Sequence, residues 1–333
     1  MTAENAGAVQ QRKTADIVLC ECAARDGLQH EPEFVPTSEK IRMIDAFSAM
    51  GFTRIEATSF SHPKYVPQFA DAEEVLKGIA RPEGVSFKTS CVNLRAVERA
   101  VQSKEEGYGP DEISLIASAS EVHELKNTGR SHAQVRDEYR AVAGVALDAG
   151  LKVGATIGTA FGCPFIGDVT TDQVADWVQF FVDQGATFVN LGDTTGLGQP
   201  WLVRDRIAAL AGRFPEVTWS AHFHDTRGSA IANCVAAIES GVRYLDSSFG
   251  GIGGHPAKIK YNEGHTGNVA TEDLAALLDA AGFELGLEST QVIPTALLVE
   301  EILGRELHGR VPRSGSYDAR LELPDRPQSG ASR

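Results

Sequence analysis

Short runs of apolar, often β-branched residues alternate along the chain with longer runs in which apolar residues recur every three or four positions. The segment DIVLCECA (16–23) is typical of a strand, and TSEKIRMIDAFSAMG (37–51) has the spacing of an amphipathic helix. The same order continues to a last pair, VRYLDSSFG (242–250) and TEDLAALLDAAG (271–282). The pattern predicts eight consecutive strand–helix units.

Eight such units predict an α/β fold, a (β/α)8 TIM barrel over residues 16–285. A doubly wound sheet is the main alternative, but the first strand is not followed by a glycine fingerprint, and the regular repeat favours the barrel. We predict appended C-terminal helices over 286–309. The segments 1–15 and 310–333 are polar, and the second is rich in Pro, Gly, Ser and Arg, so we predict that both are disordered.

The composition excludes some classes of function. The chain has 333 residues, a formal net charge of −14 and 42% hydrophobic residues. An acidic chain lacks the basic footprint of nucleic-acid binding, and no run approaches the roughly 20 apolar residues of a membrane span. The N-terminus lacks the apolar core of a signal peptide, and the five cysteines are scattered. We therefore predict a cytoplasmic protein with reduced thiols that acts on a small molecule.

Polar residues that directly follow a strand are candidates for the site, because the active site of a TIM barrel lies at the carboxyl ends of its strands. Arg25 and Asp26 follow the first strand, and Asp193 follows the sixth, before a glycine-rich loop. Glu56 lies within the otherwise apolar second strand, where a buried carboxylate is costly unless it is paired or binds a metal. The alternative for Glu56 is a structural salt bridge with an arginine.

The seventh strand carries AHFHD, in which His222 and His224 are two residues apart and point to the same face. At the mouth of a barrel this spacing suits a metal ion. The eighth strand of a closed barrel lies between the seventh and the first, so Asp26 can approach both imidazoles. Imidazole nitrogens together with carboxylate and amide oxygens predict Mg²⁺ or Mn²⁺, with Zn²⁺ or Co²⁺ as alternatives.

A divalent ion at this position would act as a Lewis acid on a hydroxyl, carbonyl or carboxylate oxygen of the substrate. Arg25 beside it would stabilise a developing enolate as a fixed cation. These groups are suited to making or breaking a carbon–carbon bond next to a carbonyl. The residues alone are also compatible with metal-assisted hydrolysis.

Six stretches of the chain form a set that is more specific than any single motif. They are ECAARDGLQHEP, GFTRIEATSFSHPKYVPQFADAEEVLKGI, AFGCPFIGD, LGDTTGLG, AHFHDTRG and GNVATEDL. In order and spacing they resemble the 3-hydroxy-3-methylglutaryl-CoA lyases, which belong to the barrel-fold metallolyases, together with the isopropylmalate and homocitrate synthases. The resemblance covers residues 16–285.

The resemblance implies a role for several residues and a class of substrate. The residues implied to hold the metal are Asp26, His222, His224 and Asn268. The residues implied to take part in catalysis are Arg25, Asp26, Glu56 and Asp193, and those implied to contact the substrate are Gln29, Ser59, Asn93 and Thr195. The implied substrate is an acyl-CoA or related hydroxy acid, and the implied assembly is a homodimer.

The segment GIGGHPAKIKYNEGHTGN (251–268) departs from the family. The lyases have G-x-G-G-C-P there, with a cysteine that acts as a catalytic acid/base, whereas this chain has His255. The distance to Asn268 is also longer by about four residues. Imidazole is suited to proton transfer near neutral pH, so His255, or else His265, is the candidate acid/base. The alternative is that His255 is a surface residue and the base lies elsewhere.

The sequence therefore predicts a metal-dependent lyase that splits a 3-hydroxy-acyl-CoA into acetyl-CoA and a keto acid through an enolate. One alternative is a synthase that condenses an acyl-CoA with a 2-keto acid. Those relatives carry G-x-G-E-R-x-G-N after the eighth strand, and this chain has neither that glutamate nor that arginine. A second alternative, which the missing cysteine motivates, is an aldolase that acts on a hydroxy acid without CoA, or a barrel that keeps the metal, has lost catalysis and binds a ligand.

Overall fold

Eight parallel strands close into a barrel in the computed structural model, which describes residues 15–254 and 267–317. Each strand pairs with the next in the chain, and β1 pairs with both β2 and β8. Helices follow the strands along the chain, as in the βα units that build such barrels. The predicted TIM barrel is confirmed.

The elements follow the predicted order. The strands are β1 (Val18–Glu21), β2 (Arg54–Ser59), β3 (Ser86–Cys91), β4 (Glu112–Ser118), β5 (Lys152–Gly158), β6 (Phe188–Asp193), β7 (Thr218–Phe223) and β8 (Tyr244–Ser247). The α-helices are α1 (Thr37–Met50), α2 (Ala72–Gly78), α3 (Leu94–Glu105), α4 (Glu121–Thr128), α5 (His132–Asp148), α6 (Thr171–Asp183), α7 (Pro200–Arg213), α8 (Ala230–Glu239), α9 (Thr271–Ala280), α10 (Val292–Leu303) and α11 (Val311–Ser314). In the described ranges, no helix is both long and apolar enough to cross a membrane.

The barrel interior contains polar side chains. Contacts between strands that are not neighbours must cross the interior, and two such contacts are polar. Arg54 of β2 forms an ion pair with Glu112 of β4, and Asn190 of β6 donates a hydrogen bond of 2.7 Å to Asp246 of β8. The intervening residues, such as Ile113, are buried on the opposite face, toward the helices. The strands therefore place polar groups inside the barrel and apolar groups in the surrounding layer.

Aromatic side chains fix the helical layer to the strands. Trp177 and Phe181 of α6 lie 5.7 Å apart between ring centroids, and Phe181 lies 6.0 Å from Tyr139 of α5. The hydroxyl of Tyr139 donates a hydrogen bond of 2.6 Å to the carbonyl of Ile116 in β4. Such contacts combine a large buried apolar area with a satisfied polar tip, so the strand ends that carry the site have a rigid support.

The C-terminal segment differs in part from the prediction. Residues 310–317 were predicted to be disordered, but they include the short helix α11. Asp273 of α9 explains the difference, because its Oδ1 accepts hydrogen bonds of 2.8 Å from the main-chain N–H groups of Arg310 and Val311. These groups at a helix start have no intrahelical acceptor, so a carboxylate there stabilises the helix. Residues 1–14 and 318–333 lie outside the described ranges.

Glu21, at the end of β1, is a fully buried carboxyl group that connects β1 to the segment after β8. It accepts hydrogen bonds from the main-chain N–H groups of Ala23 (2.9 Å) and Phe249 (3.1 Å). Its other oxygen, Oε2, lies 2.6 Å from the Thr271 hydroxyl. Burial raises the pKa of Glu21 from its ordinary value of 4.5 to about 8. The folded protein therefore keeps this proton over a pH range in which the unfolded chain loses it.

This raised pKa predicts that Glu21 makes the protein less stable as the pH rises from about 4.5 to about 8. Glutamine imitates the protonated carboxyl, so Glu21→Gln should lose stability less steeply over that range. Each pKa unit corresponds to about 1.4 kcal/mol. Between pH 5 and 8 we expect the wild type to lose at least about 1.4 kcal/mol more unfolding free energy than Glu21→Gln.

Unfolding free energies at pH 5, 6, 7 and 8 measure the difference. Glu98→Gln, which changes an exposed carboxyl group on α3, should follow the wild type. Parallel curves for Glu21→Gln and wild type would contradict the role of Glu21.

Candidate metal centre

Four side chains named from the sequence meet at the mouth of the barrel. Asp26 lies in a π-helical turn, Ala23–Gly27, directly after β1. His222 is in β7, and His224 follows β7 and forms an isolated β-bridge with Asn268. The turn after β1 lies close to the end of β7, because only β8 stands between these two strands in the barrel.

The three ionisable groups have the geometry of a metal site. One atom from each of Asp26, His222 and His224 can be chosen so that all three lie within 4.8 Å of one another, and all three residues are buried. The two Nε2 atoms are 2.9 Å apart, and His224 Nε2 is 3.9 Å from Asp26 Oδ2. Two imidazole nitrogens and a carboxylate converge on one point, as a divalent cation requires.

Asn268 offers a fourth donor at the same place. Its Nδ2 donates hydrogen bonds to Asp26 Oδ2 (2.8 Å) and to the carbonyl of Ile252 (3.0 Å), which fixes the orientation of the amide. Its Oδ1 is buried and has no hydrogen-bond partner among the described residues. A buried acceptor without a donor costs free energy, and a cation beside it removes that cost. The residues therefore fit a divalent ion with oxygen and nitrogen ligands.

Asp246 of β8 orients the His222 imidazole through its Nδ1, the nitrogen on the side away from the other ligands. Its Oδ2 lies 3.2 Å from His222 Nδ1 and also accepts the hydrogen bond from Asn190. A carboxylate at Nδ1 holds the proton on that nitrogen and leaves the lone pair of Nε2 directed toward the other ligands. Asp246 was not among the residues predicted from the sequence. Its signal was a charged residue inside the apolar strand VRYLDSSFG, the same signal that identified Glu56.

Arg25 links the metal centre to Glu56. Its Nη1 donates a hydrogen bond of 2.8 Å to Asp26 Oδ1, and its Nε lies 2.8 Å from Glu56 Oε1. Glu56 is fully buried in β2 and also accepts a hydrogen bond from Ser90 of β3. Burial alone would raise the pKa values of Asp26 and Glu56, but Arg25 lowers both below their ordinary range. The salt bridge considered for Glu56 is present, and its arginine is the predicted active-site residue.

Asp193 and Thr195 lie at the exit of β6. Asp193 accepts hydrogen bonds from the main-chain N–H groups of Leu197 (2.9 Å) and Gly198 (3.0 Å), so it shapes the loop before α7. Burial raises the pKa of Asp193 from 3.8 to about 6. Thr195 is fully buried, and its Oγ1 has no hydrogen-bond partner in residues 15–254 and 267–317. Asp193 is thus a buried carboxyl group with a raised pKa, and Thr195 beside it carries an unsatisfied hydroxyl.

The other predicted substrate contacts are distributed differently. Ser59, at the end of β2, is buried, and its Oγ is 2.8 Å from that of Ser61. Gln29 is half-buried in the turn Leu28–His30 after β1. Asn93 is the N-cap of α3, and its side chain accepts the N–H of Ala96 at 2.9 Å, so helix capping explains this residue.

Two predicted residues lie outside the described ranges, and one residue that was not predicted lies beside the last residue described before them. His255 and His265 both fall within 255–266, which the structure does not describe. His30 lies beside the main chain of Gly254, the last residue described before that segment. Burial lowers the pKa of His30. The sequence analysis did not select His30, because a histidine in a turn carries no signal of its own.

Comparisons with known proteins give one consistent group. The HMGL-like family model matches residues 16–299. A hydroxymethylglutaryl-CoA lyase of Bacillus subtilis is 37% identical over 294 residues, which cover 88% of this chain and 95% of the relative. The mitochondrial hydroxymethylglutaryl-CoA lyase of Macaca fascicularis is 35% identical over 298 residues, which cover 90% of this chain and 89% of the relative. A solved HMG-CoA lyase of Acinetobacter baumannii, in complex with coenzyme A and 3-methylmalate, has a TM-score of 0.86 and 33% identity, covering 92% of this chain and 98% of the other.

Gly253 is the point at which the main chain packs directly against the centre. It has a φ of +126°, and a Cβ built there would lie 2.9 Å from Asp26 Oδ2 and closer still to Asn268 Nδ2. A side chain at this position would therefore be strained and would push two of the four candidate ligands aside. Gly241 is a useful contrast, because its φ is +96° but its Cβ would meet no atom within 4 Å.

We expect Gly253→Ala to weaken Mn²⁺ binding by at least about tenfold, the usual scale for changes that displace metal ligands. Isothermal titration of the folded variant with Mn²⁺ measures this effect. Gly241→Ala carries a comparable backbone strain without the contact, so it should bind Mn²⁺ like the wild type. Equal affinities for Gly253→Ala and Gly241→Ala would show that these ligands do not bind the ion.

Proposed function

The chain belongs to the HMGL-like family, and from this premise we propose that it is a divalent-metal-dependent carbon–carbon lyase. Its proposed substrate is 3-hydroxy-3-methylglutaryl-CoA or a close relative, and the products are acetyl-CoA and a keto acid, acetoacetate for that substrate. The observation that carries the proposal is the convergence of Asp26, His222 and His224 beside Arg25. A divalent ion held by these residues and the fixed cation of Arg25 would together stabilise an enolate intermediate.

The proposed metal ligands are Asp26, His222, His224 and Asn268. The buried, unsatisfied Oδ1 of Asn268 supports the fourth ligand. A set of two oxygens and two imidazole nitrogens favours Mg²⁺ or Mn²⁺, while Zn²⁺ and Co²⁺ are also compatible. The ion would supply Lewis acidity and orient the oxygens of the substrate at the mouth of the barrel.

In the proposed reaction the 3-hydroxyl group loses its proton, the C2–C3 bond breaks, and the electron pair remains on the acetyl-CoA fragment as an enolate. That enolate then takes up a proton at C2. Arg25 is positioned to stabilise the enolate oxygen, since its contacts in the described part of the chain use Nε and Nη1 and leave Nη2 for a substrate. Asp26 and Glu56 hold the guanidinium plane in one orientation.

His255 is the proposed acid/base in place of the family's cysteine. Gly253 packs against Asp26 and Asn268, and His255 follows two residues later in the sequence. That proximity supports a role for His255, with His265 as the alternative. Glu56, Asp193 and the substrate contacts predicted at Gln29, Ser59, Asn93 and Thr195 belong to the same proposal. The homodimer and the cytoplasmic location stay predictions.

The substitution of the cysteine by His255 also favours a second candidate function, aldol cleavage of a hydroxy acid that is not bound to CoA. The metal centre and Arg25 would serve that reaction equally, because it also breaks a carbon–carbon bond next to a carbonyl. A condensing synthase is less favoured, because the Glu-Arg pair of its G-x-G-E-R-x-G-N motif does not occur in 251–268.

Loss of one ligand should abolish the reaction. We expect His222→Ala to reduce the cleavage of 3-hydroxy-3-methylglutaryl-CoA by at least about 100-fold, because it removes a ligand and not merely a supporting contact. Chelation should inactivate the wild type, and added Mn²⁺ or Mg²⁺ should restore it. His132→Ala, which removes an imidazole packed on Trp177 in the helical layer, is the matched control. Full activity of His222→Ala, together with insensitivity to chelators, contradicts the proposal.

A substrate panel separates the candidate functions. We expect mass spectrometry to detect acetyl-CoA and a keto acid from 3-hydroxy-3-methylglutaryl-CoA or citramalyl-CoA, with little turnover of hydroxy-keto acids that lack CoA. Turnover of the CoA-free acids alone would favour the aldolase. Release of free thiol from acetyl-CoA and a 2-keto acid would favour the synthase.

A further inference from the structure

Lys88 is a buried cation inside the barrel, below the metal centre, to which the proposed reaction gives no role. It lies in β3, and its side chain is 3% exposed. Its Nζ is 3.6 Å from Glu56 Oε2 and 3.8 Å from Asp246 Oδ2. Because β3 and β8 are not neighbours, the second contact crosses the barrel interior.

The two carboxylates that Lys88 contacts lead to different parts of the site. Glu56 reaches Arg25 through its other oxygen, Oε1, at 2.8 Å. Asp246 reaches His222 Nδ1 at 3.2 Å. Lys88 therefore connects two chains of contacts, which we call arms. One arm runs through Glu56 to Arg25 and the substrate oxygen, and the other runs through Asp246 to His222 and the metal.

The charges require a cation at this point. Glu56 and Asp246 are fully or almost fully buried, and their charges act on each other unfavourably. Neither Glu56 Oε2 nor Asp246 Oδ1 has a hydrogen-bond partner within the described ranges, so hydrogen bonds only partly compensate for the burial. Arg25 compensates Glu56 from one side, and a cation close to both carboxylates lowers the cost of burying two like charges side by side.

The charge state of Lys88 agrees with this position. Burial alone would lower the pKa of Lys88, but Asp246 and Glu56 raise it above its ordinary value. Lys88 is therefore charged in the folded protein, opposite the two carboxylates.

We propose that Lys88 is a positioning residue of the metal centre. Its fixed positive charge holds Asp246 against His222 and Glu56 against Arg25, so that the ligand nitrogen and the guanidinium keep one arrangement. Without Lys88 the two carboxylates repel each other with no shared counter-charge, and both arms lose their orientation. The inference rests on the proposed metal centre but assigns it a residue outside the ligand set.

The test is the Mn²⁺ affinity of Lys88→Met, measured by isothermal titration without substrate. We expect binding to weaken by about tenfold, the lower end of the range for residues that orient metal ligands. Lys40→Met is the matched control, because Lys40 is equally buried but pairs with Asp71 at 2.7 Å in the helical layer. The control should lose stability and keep the wild-type Mn²⁺ affinity.

A double-mutant cycle shows whether Lys88 acts through Asp246. Lys88→Met should weaken Mn²⁺ binding at least about threefold less in an Asp246→Asn background than in the wild type. An equal loss in both backgrounds, or Mn²⁺ affinity of Lys88→Met within about twofold of the control, would overturn the proposal.

If Lys88→Met does not fold, the pair Lys88→Met/Glu56→Gln removes one cation and one anion together. It should bind Mn²⁺ about tenfold more weakly than Glu56→Gln alone, and equal affinities would overturn the role of Lys88. The wild-type titration separates this result from failure of the metal centre itself. If the wild type does not bind Mn²⁺, the centre is wrong; if it binds and the Lys88 variants match it, only the positioning role is wrong.

Discussion

Charged side chains inside a barrel must find partners on other strands, and the rest of this structure depends on that constraint. Arg25, Glu56, Lys88 and Asp246 are all almost fully shielded from water. A buried charge without a partner costs several kcal/mol, on the order of 3–5 when one member of a pair is lost. The pairs therefore specify which strand ends face one another, and the same pairs leave Asp26 and His222 aligned at the mouth.

This arrangement connects packing to chemistry. The helical layer, with its aromatic contacts between α5 and α6, buries the apolar faces of the strands and keeps their ends in place. The polar faces then form a continuous interior from Arg54 and Glu112 up to the metal centre. A metal-dependent lyase needs a rigid ligand set together with a fixed cation, and both are provided here by strands and the turns that directly follow them.

The fold could be predicted from the sequence because its signal is repeated. Each unit carries an apolar run and an amphipathic run, and eight copies leave few alternative topologies. Four site residues could be identified from the sequence for a related reason, because charged or imidazole groups in and after strands stand out against apolar neighbours. They are Asp26, Glu56, His222 and His224. The helix α11 was missed because its support, Asp273, is distant in sequence. Asp246 had the local signal of a charge in an apolar strand, but the role of Lys88 depends on contacts across the barrel, which no local pattern contains.

The central claim is that one divalent ion is held by Asp26, His222, His224 and Asn268 at the mouth of this barrel. Anomalous diffraction from crystals grown with Mn²⁺, recorded at the manganese absorption edge, tests it most directly. The account predicts one strong peak within about 2.0–2.4 Å of a ligand atom from each of the four side chains. A peak elsewhere, or none at a Mn²⁺ concentration that supports cleavage, would contradict it.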